Sequence, residues 1–128
     1  MKITINDHRK IFAIQEEFNT MFPYLKIEFF TKPHTMGAGS PKKQIKHSSK
    51  TLGECRTIHK KGTITITSNM TVADMEQNFN DVYGLSVQVF RKSGKAWLET
   101  TVTDSWTLEE QNKQGEALSE RAKKMLID

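Results

Sequence analysis

The chain has 128 residues and 14.7 kDa, the size of one domain with a real core and too short for two comfortable ones. Its hydrophobic fraction of 36% and charged fraction of 27% are those of an ordinary soluble protein, and no apolar run approaches the roughly 20 residues of a membrane-spanning helix. The formal net charge is +4, but residues 41–61 alone sum to +6, so the basicity is local.

The opening MKITINDHRK is polar by its sixth residue, unlike a secretory leader, and a cytoplasmic location is expected. Cys55 is the only cysteine, which excludes an internal disulfide and zinc-finger spacing.

Ile3 and Ile5 alternate with Lys2 and Thr4, the period of a half-buried strand. Ile11, Ile14, Phe18 and Met21 then recur at helical steps and form one apolar stripe, with Asp7 as the expected N-cap and Pro23 as the stop. LKIEFF, residues 25–30, alternates again as a second strand.

Next comes GAGSPKKQIKHSSK, residues 37–50, inside an expected flexible connector spanning 32–50. GAGS lacks the Lys-Ser/Thr pair of a Walker loop, whereas SPKK, Ser40 to Lys43, resembles the short turn of basic DNA-binding tails. Lysines supply phosphate affinity without sequence readout, so Lys42, Lys43, Lys46, Lys50, Lys60 and Lys61 are the candidate nucleic-acid contacts. TLGECRTIHKK, residues 51–61, is expected to form a strand turning at Lys61-Gly62. In such a strand Cys55 and His59 do not face each other, which argues against a thiolate–imidazole couple. His34, His47 and His59 lack clustered carboxylates, so no metal or other cofactor is expected, and no catalytic residue is assigned.

From residue 63 the pattern returns. At an offset of 61, Ile3, Thr4, Ile5, Phe18 and Asn19 fall on Ile64, Thr65, Ile66, Phe79 and Asn80. After a one-residue slip, Leu25, Ile27 and Phe29 answer Leu85, Val87 and Val89. Thr71 and Asp74 have capping-box spacing, and Gly84 ends the second helix. Two βαβ copies, 2–30 and 63–90, imply an α+β fold whose element order resembles the ferredoxin-like arrangement: one four-stranded antiparallel sheet with both helices on one face. That fold hosts many unrelated functions.

RKSGKAWLETTV adds a β-hairpin turning at Ser93-Gly94 and a fifth strand. A third helix, 107–126, starts with Thr107 and Glu110 in capping-box spacing. Its inner face, Leu108, Gln111, Gly115, Leu118, Ala122 and Met125, is only half apolar, so light packing is expected. The outward sheet positions include Phe30 and Phe90, but Lys2 and threonines stand on the first and third strands, so the stacking aromatics of an RNA-recognition sheet are missing. Phe30, Phe90, Trp97 and Trp106 are the candidate protein-contact residues, pointing to a non-enzymatic module with a protein partner or a second copy of itself, and with nucleic acid as the alternative.

Overall fold

A computed structural model describes residues 1–31 and 43–127. The elements are β1 (Lys2–Ile5), α1 (Ile11–Met21), β2 (Leu25–Phe30), a 3-10 turn (Leu52–Cys55), β3 (Gly62–Thr65), α2 (Val72–Tyr83), β4 (Ser86–Ser93), β5 (Ala96–Glu99) and α3 (Leu108–Ile127). The fold is α+β with antiparallel pairing throughout.

The single four-stranded sheet is replaced by two: β1 with β3, and β2-β4-β5. Alternation dictates which face of a strand is buried but says nothing of its neighbour, and β2 pairs with β4 instead of flanking the β1–β3 pair. The registers are notable: Ile3 lies opposite Ile64, and Glu28 opposite Gln88. Each is the position matched to it by the sequence offset. Ile3, Ile5, Ile64, Ile66, Phe18, Phe79, Leu25, Ile27, Phe29 and Val89 all enter one core, with Phe29 and Phe79 edge to face at 6.4 Å.

Asp7 does not cap α1. Lys10 occupies the N-cap position without a side-chain bond. The first amides of the helix, Ile11 N and Phe12 N, donate instead to Lys50 O and Ser48 O at 3.0 Å each. The connector is therefore partly a strap: Ile45 N donates to Phe29 O, Leu52 N to Arg9 O and Gly53 N to Asp7 O, while Ile45 and Leu52 are buried. Residues 51–61 are not a strand: Thr51 makes an isolated bridge to Lys10, Leu52–Cys55 form the 3-10 turn, and residues 56–61, with a bend at Thr57, lead into β3 with no strand partner among the described residues. The reason is that Thr51 caps the turn, accepting from Glu54 N, and Arg56 then anchors inward. The remainder of the connector, residues 32–42 with His34 and Lys42, lies outside the described residues.

The same bonding recurs in the second half. Val72 N and Ala73 N at the start of α2 donate to Trp106 O and Asp104 O, and Leu108 N and Glu109 N donate to Met70 O and Ser68 O. Thr107 accepts from Glu110 N as Thr51 does from Glu54 N. Where the first strap makes one 3-10 turn, the second continues into α3.

The early part of α3 packs closely, contrary to the expected light contact: Leu108, Gln111, Gly115 and Ser119 are buried, and of the expected inner face the distal Met125 alone is largely exposed, at 74%. Polar groups replace apolar ones in that seam. Gln111 accepts from Arg91 and donates to Thr103, and Asn112 accepts from Tyr24 N. Gly115 permits the approach, since a Cβ there would stand 2.9 Å from the Tyr24 Cβ. The Thr71 cap, the left-handed Gly84 at φ 64° and the β4–β5 turn with Gly94 at φ 63° are all as the sequence implies.

Candidate functional site

Helix α1 flanks the outer edge of β2 and closes it with side chains. Gln15 Nε2 donates to Ile27 O at 2.9 Å, and Asn19 Nδ2 donates to Leu25 O at 2.8 Å. These amides take carbonyls that a neighbouring strand would otherwise bond. Between this helix flank and the outward face of the β2-β4-β5 sheet opens a groove of about 330 Å³ lined by Phe12, Gln15, Glu16, Asn19, Lys26, Ile27, Glu28 and Trp97.

Trp97 on β5 and Phe12 on α1 are its aromatic walls. Lys26 spans the floor, its Nζ 4.9 Å from the Trp97 ring centroid and 5.6 Å from that of Phe90, and paired with Glu28 at 3.2 Å. Glu28 also accepts from Gln15. The ammonium is thus committed within the site, and Glu16 remains exposed at the rim.

A counterpart of about 250 Å³ lies between α2 and β4, lined by Glu76, Gln77, Asn80, Asp81, Ser86, Val87 and Gln88. Five of these positions, Glu76, Gln77, Asn80, Val87 and Gln88, match Gln15, Glu16, Asn19, Ile27 and Glu28 of the first groove at the sequence offsets. It has no aromatic wall; Ala73 stands where α1 has Phe12.

Of the expected contact residues, the structure brings Trp97 and Phe90 together through Lys26. Phe30 sits at the far end of β2 beside Gln44. Trp106 belongs elsewhere: its ring is covered by Arg91 at 5.6 Å and its carbonyl caps α2. Phe12 stands outside the buried apolar stripe of α1, so the helical periodicity does not mark it. Its signal was legible, an aromatic residue outside that stripe and 44% exposed.

Lys43, Lys46, Lys50, Lys60 and Lys61 are all exposed. Lys43 lies beside Thr31 at the β2 edge, apart from the others, which follow the strap toward the β1–α1 and β3 ends. There Arg56, its side chain 0% exposed, donates Nε and NH2 to Asp7 Oδ1 and NH1 to Tyr83 O. His59 Nδ1 meets Asp7 Oδ2 at 2.9 Å. The hydrogen bond from His59, reinforced by Arg56, holds the Asp7 carboxyl below its ordinary pKa.

Cys55 is half-buried against the core, and burial raises its thiol pKa. No Cys55–His59 hydrogen bond forms among the described residues, where His59 turns to Asp7 instead. Among the described residues there is also no group of three or more His, Cys, Asp or Glu side chains that could hold a metal ion, and no helix long and apolar enough to cross a membrane. The chain matches no protein-family model, no curated protein and no solved structure.

Proposed function

We propose that the protein is a non-enzymatic binding module whose α1–β2 groove takes an extended segment of a protein partner, anchored by one apolar side chain beside a basic residue. The observation that carries this reading is Phe12, exposed on a helix whose other large apolar residues point inward, lining the same groove as Trp97. At about 330 Å³ the groove is at the low end for small-molecule sites, sized for an anchor side chain more than for a whole cofactor. Its rim carries Glu16 and Glu28 against Lys26, which already serves Glu28 and the rings. That balance favours a Lys or Arg next to the anchor and opposes a phosphate backbone at this place.

The test is selection of a random peptide library on the full chain, repeated on Phe12→Ala and Trp97→Ala. Enrichment of apolar-plus-basic sequences that both variants lose supports the reading. Peptides that bind the variants equally, or no enrichment, refute it. Sedimentation over a wide concentration range tests the occupant further: self-association abolished by Trp97→Ala would make a second copy the ligand in place of a distinct partner.

We also infer that the two halves are copies of one unit, longer than the βαβ segments read from sequence. The support is the recurrence of the strap bonds at an offset of 61 in the residues before and at the start of each helix and of 56 in the strap residues: Arg9 and Met70, Asp7 and Ser68, Ile11 and Val72 on one side, Lys50 and Trp106, Leu52 and Leu108, Thr51 and Thr107 on the other. On this reading the second groove is the duplicate of the first, and the aromatic walls distinguish the working one.

A further inference from the structure

We propose that the end of the molecule formed by the β1–α1 loop, the strap and the start of β3 is a sequence-tolerant surface for the phosphate backbone of nucleic acid, separate from the peptide groove. The topology gathers the charges. Ile5 pairs with Gly62, so Lys60 and Lys61 enter at the end where β1 finishes and α1 begins. Lys10 bridges Thr51, and the carbonyls of Ser48 and Lys50 receive the first α1 amides, which brings Lys46 and Lys50 to the same end.

Lys10, Lys46, Lys50, Lys60 and Lys61 are all exposed, and none is in an ion pair among the described residues. The acids nearby are largely committed. Both oxygens of Asp7 are engaged by Arg56 and His59, and Glu17 by Arg9. Glu54 and, on the outer face of α2, Asp81 remain exposed, so the five ammonium groups prevail.

Backbone hydrogen bonds fix the part of the strap that carries Lys46 and Lys50, while Lys60 and Lys61 lie between the side-chain anchors Arg56 and His59 and the β1–β3 ladder that begins at Gly62. The α1 amides are already bonded and do not chelate an anion themselves; the affinity is diffuse and Coulombic. An anionic lipid surface is the less suitable partner, because the strap's own exposed large apolar side chain is Ile58 alone among the described residues, too little to insert.

The experiment is fluorescence anisotropy of the full chain with a labelled duplex of arbitrary sequence. Between roughly 50 and about 200 mM salt the affinity should fall by about two to three decades, a log–log slope of about −4 for four to five phosphate contacts. Lys46→Gln, Lys50→Gln, Lys60→Gln and Lys61→Gln combined should weaken binding at the low salt by at least about tenfold and flatten the slope by about one per lysine. The four Lys→Arg changes should retain both binding and melting temperature, and Lys113→Gln with Lys123→Gln on α3 should change nothing. No binding at low salt, a salt-independent affinity, an equal loss in the α3 variant, or binding to phosphatidylserine-rich vesicles without binding to the duplex would each overturn the proposal.

Discussion

Arg56→Met isolates what the buried guanidinium contributes to the fold. Methionine preserves much of the packing of the arginine stem and removes all of its donors. The Asp7 carboxylate is 35% exposed and recovers water, whereas the buried Tyr83 carbonyl loses its donor at 3.0 Å. Leaving such an acceptor unsatisfied costs about 1–3 kcal/mol, and the lost tie between the strap and the end of α2 adds to it, so about 2–4 kcal/mol is expected. For a domain of this size the urea slope is about 1.5–2 kcal/mol per molar, so the unfolding midpoint should drop by about 1–2.5 M with the slope unchanged. Asp7→Ala should be worse than Arg56→Met, because it strands a buried positive charge. The double variant should be less damaged than the sum of the two singles. An unfolding free energy for Arg56→Met within about 0.5 kcal/mol of wild type, or an Asp7→Ala variant milder than Arg56→Met, would refute the reasoning.

Asp7 also sets an acid limit. Its folded pKa is lowered from 3.8, so its contribution is present above that value and is lost as pH falls through the lower folded one; the acid limb of an unfolding-versus-pH curve should flatten in Asp7→Asn. Leu52→Ala and Leu108→Ala, both at fully buried positions, should each cost about 2–5 kcal/mol in urea melts, and Thr51→Ala and Thr107→Ala about 1 kcal/mol each; a costly Leu108→Ala beside a silent Leu52→Ala would contradict the equivalence of the two straps. Iodoacetamide should label Cys55 more slowly than free cysteine near neutral pH, since burial raises its pKa; faster labelling would reopen a nucleophilic role.

Strand and helix positions were legible because alternation and helical stripes record burial directly: Ile3, Ile64, Phe18 and Phe79 all point where the periodicity puts them. Pairing was not, because the solvent-facing threonines of β1 and β3 suit an edge or a centre equally, and nothing local reports that β2 will meet β4. The strap was hidden for a related reason. Its bonds are backbone to backbone, as from Ile11 N to Lys50 O, and leave a trace only in the short run Thr51, Leu52, Glu54 echoed by Thr107, Leu108, Glu110. Asp7 has the sequence position of a helix cap, because an acid before a helix normally caps it, but the buried Arg56 that claims it lies 49 residues away and leaves no local trace. Half the groove was visible as Trp97; the other half, Phe12, reads as an ordinary surface residue until the sheet is placed beside it.

Every sheet ladder except the β4–β5 hairpin joins one half of the molecule to the other, as when Lys2 meets Thr65 and Leu25 meets Arg91. A nascent chain emerging from the ribosome therefore carries β1 and β2 with no strand mate until β3 and β4 have followed, and its first helix has β2 to pack on but not the second half of the core. Folding waits for most of the polypeptide, runs through contacts of high contact order, and leaves the isoleucine-rich strands open to mispairing during that delay. Slowing translation over residues 31–61 should lengthen the window of aggregation without aiding native structure, the reverse of what a pause between independent domains achieves.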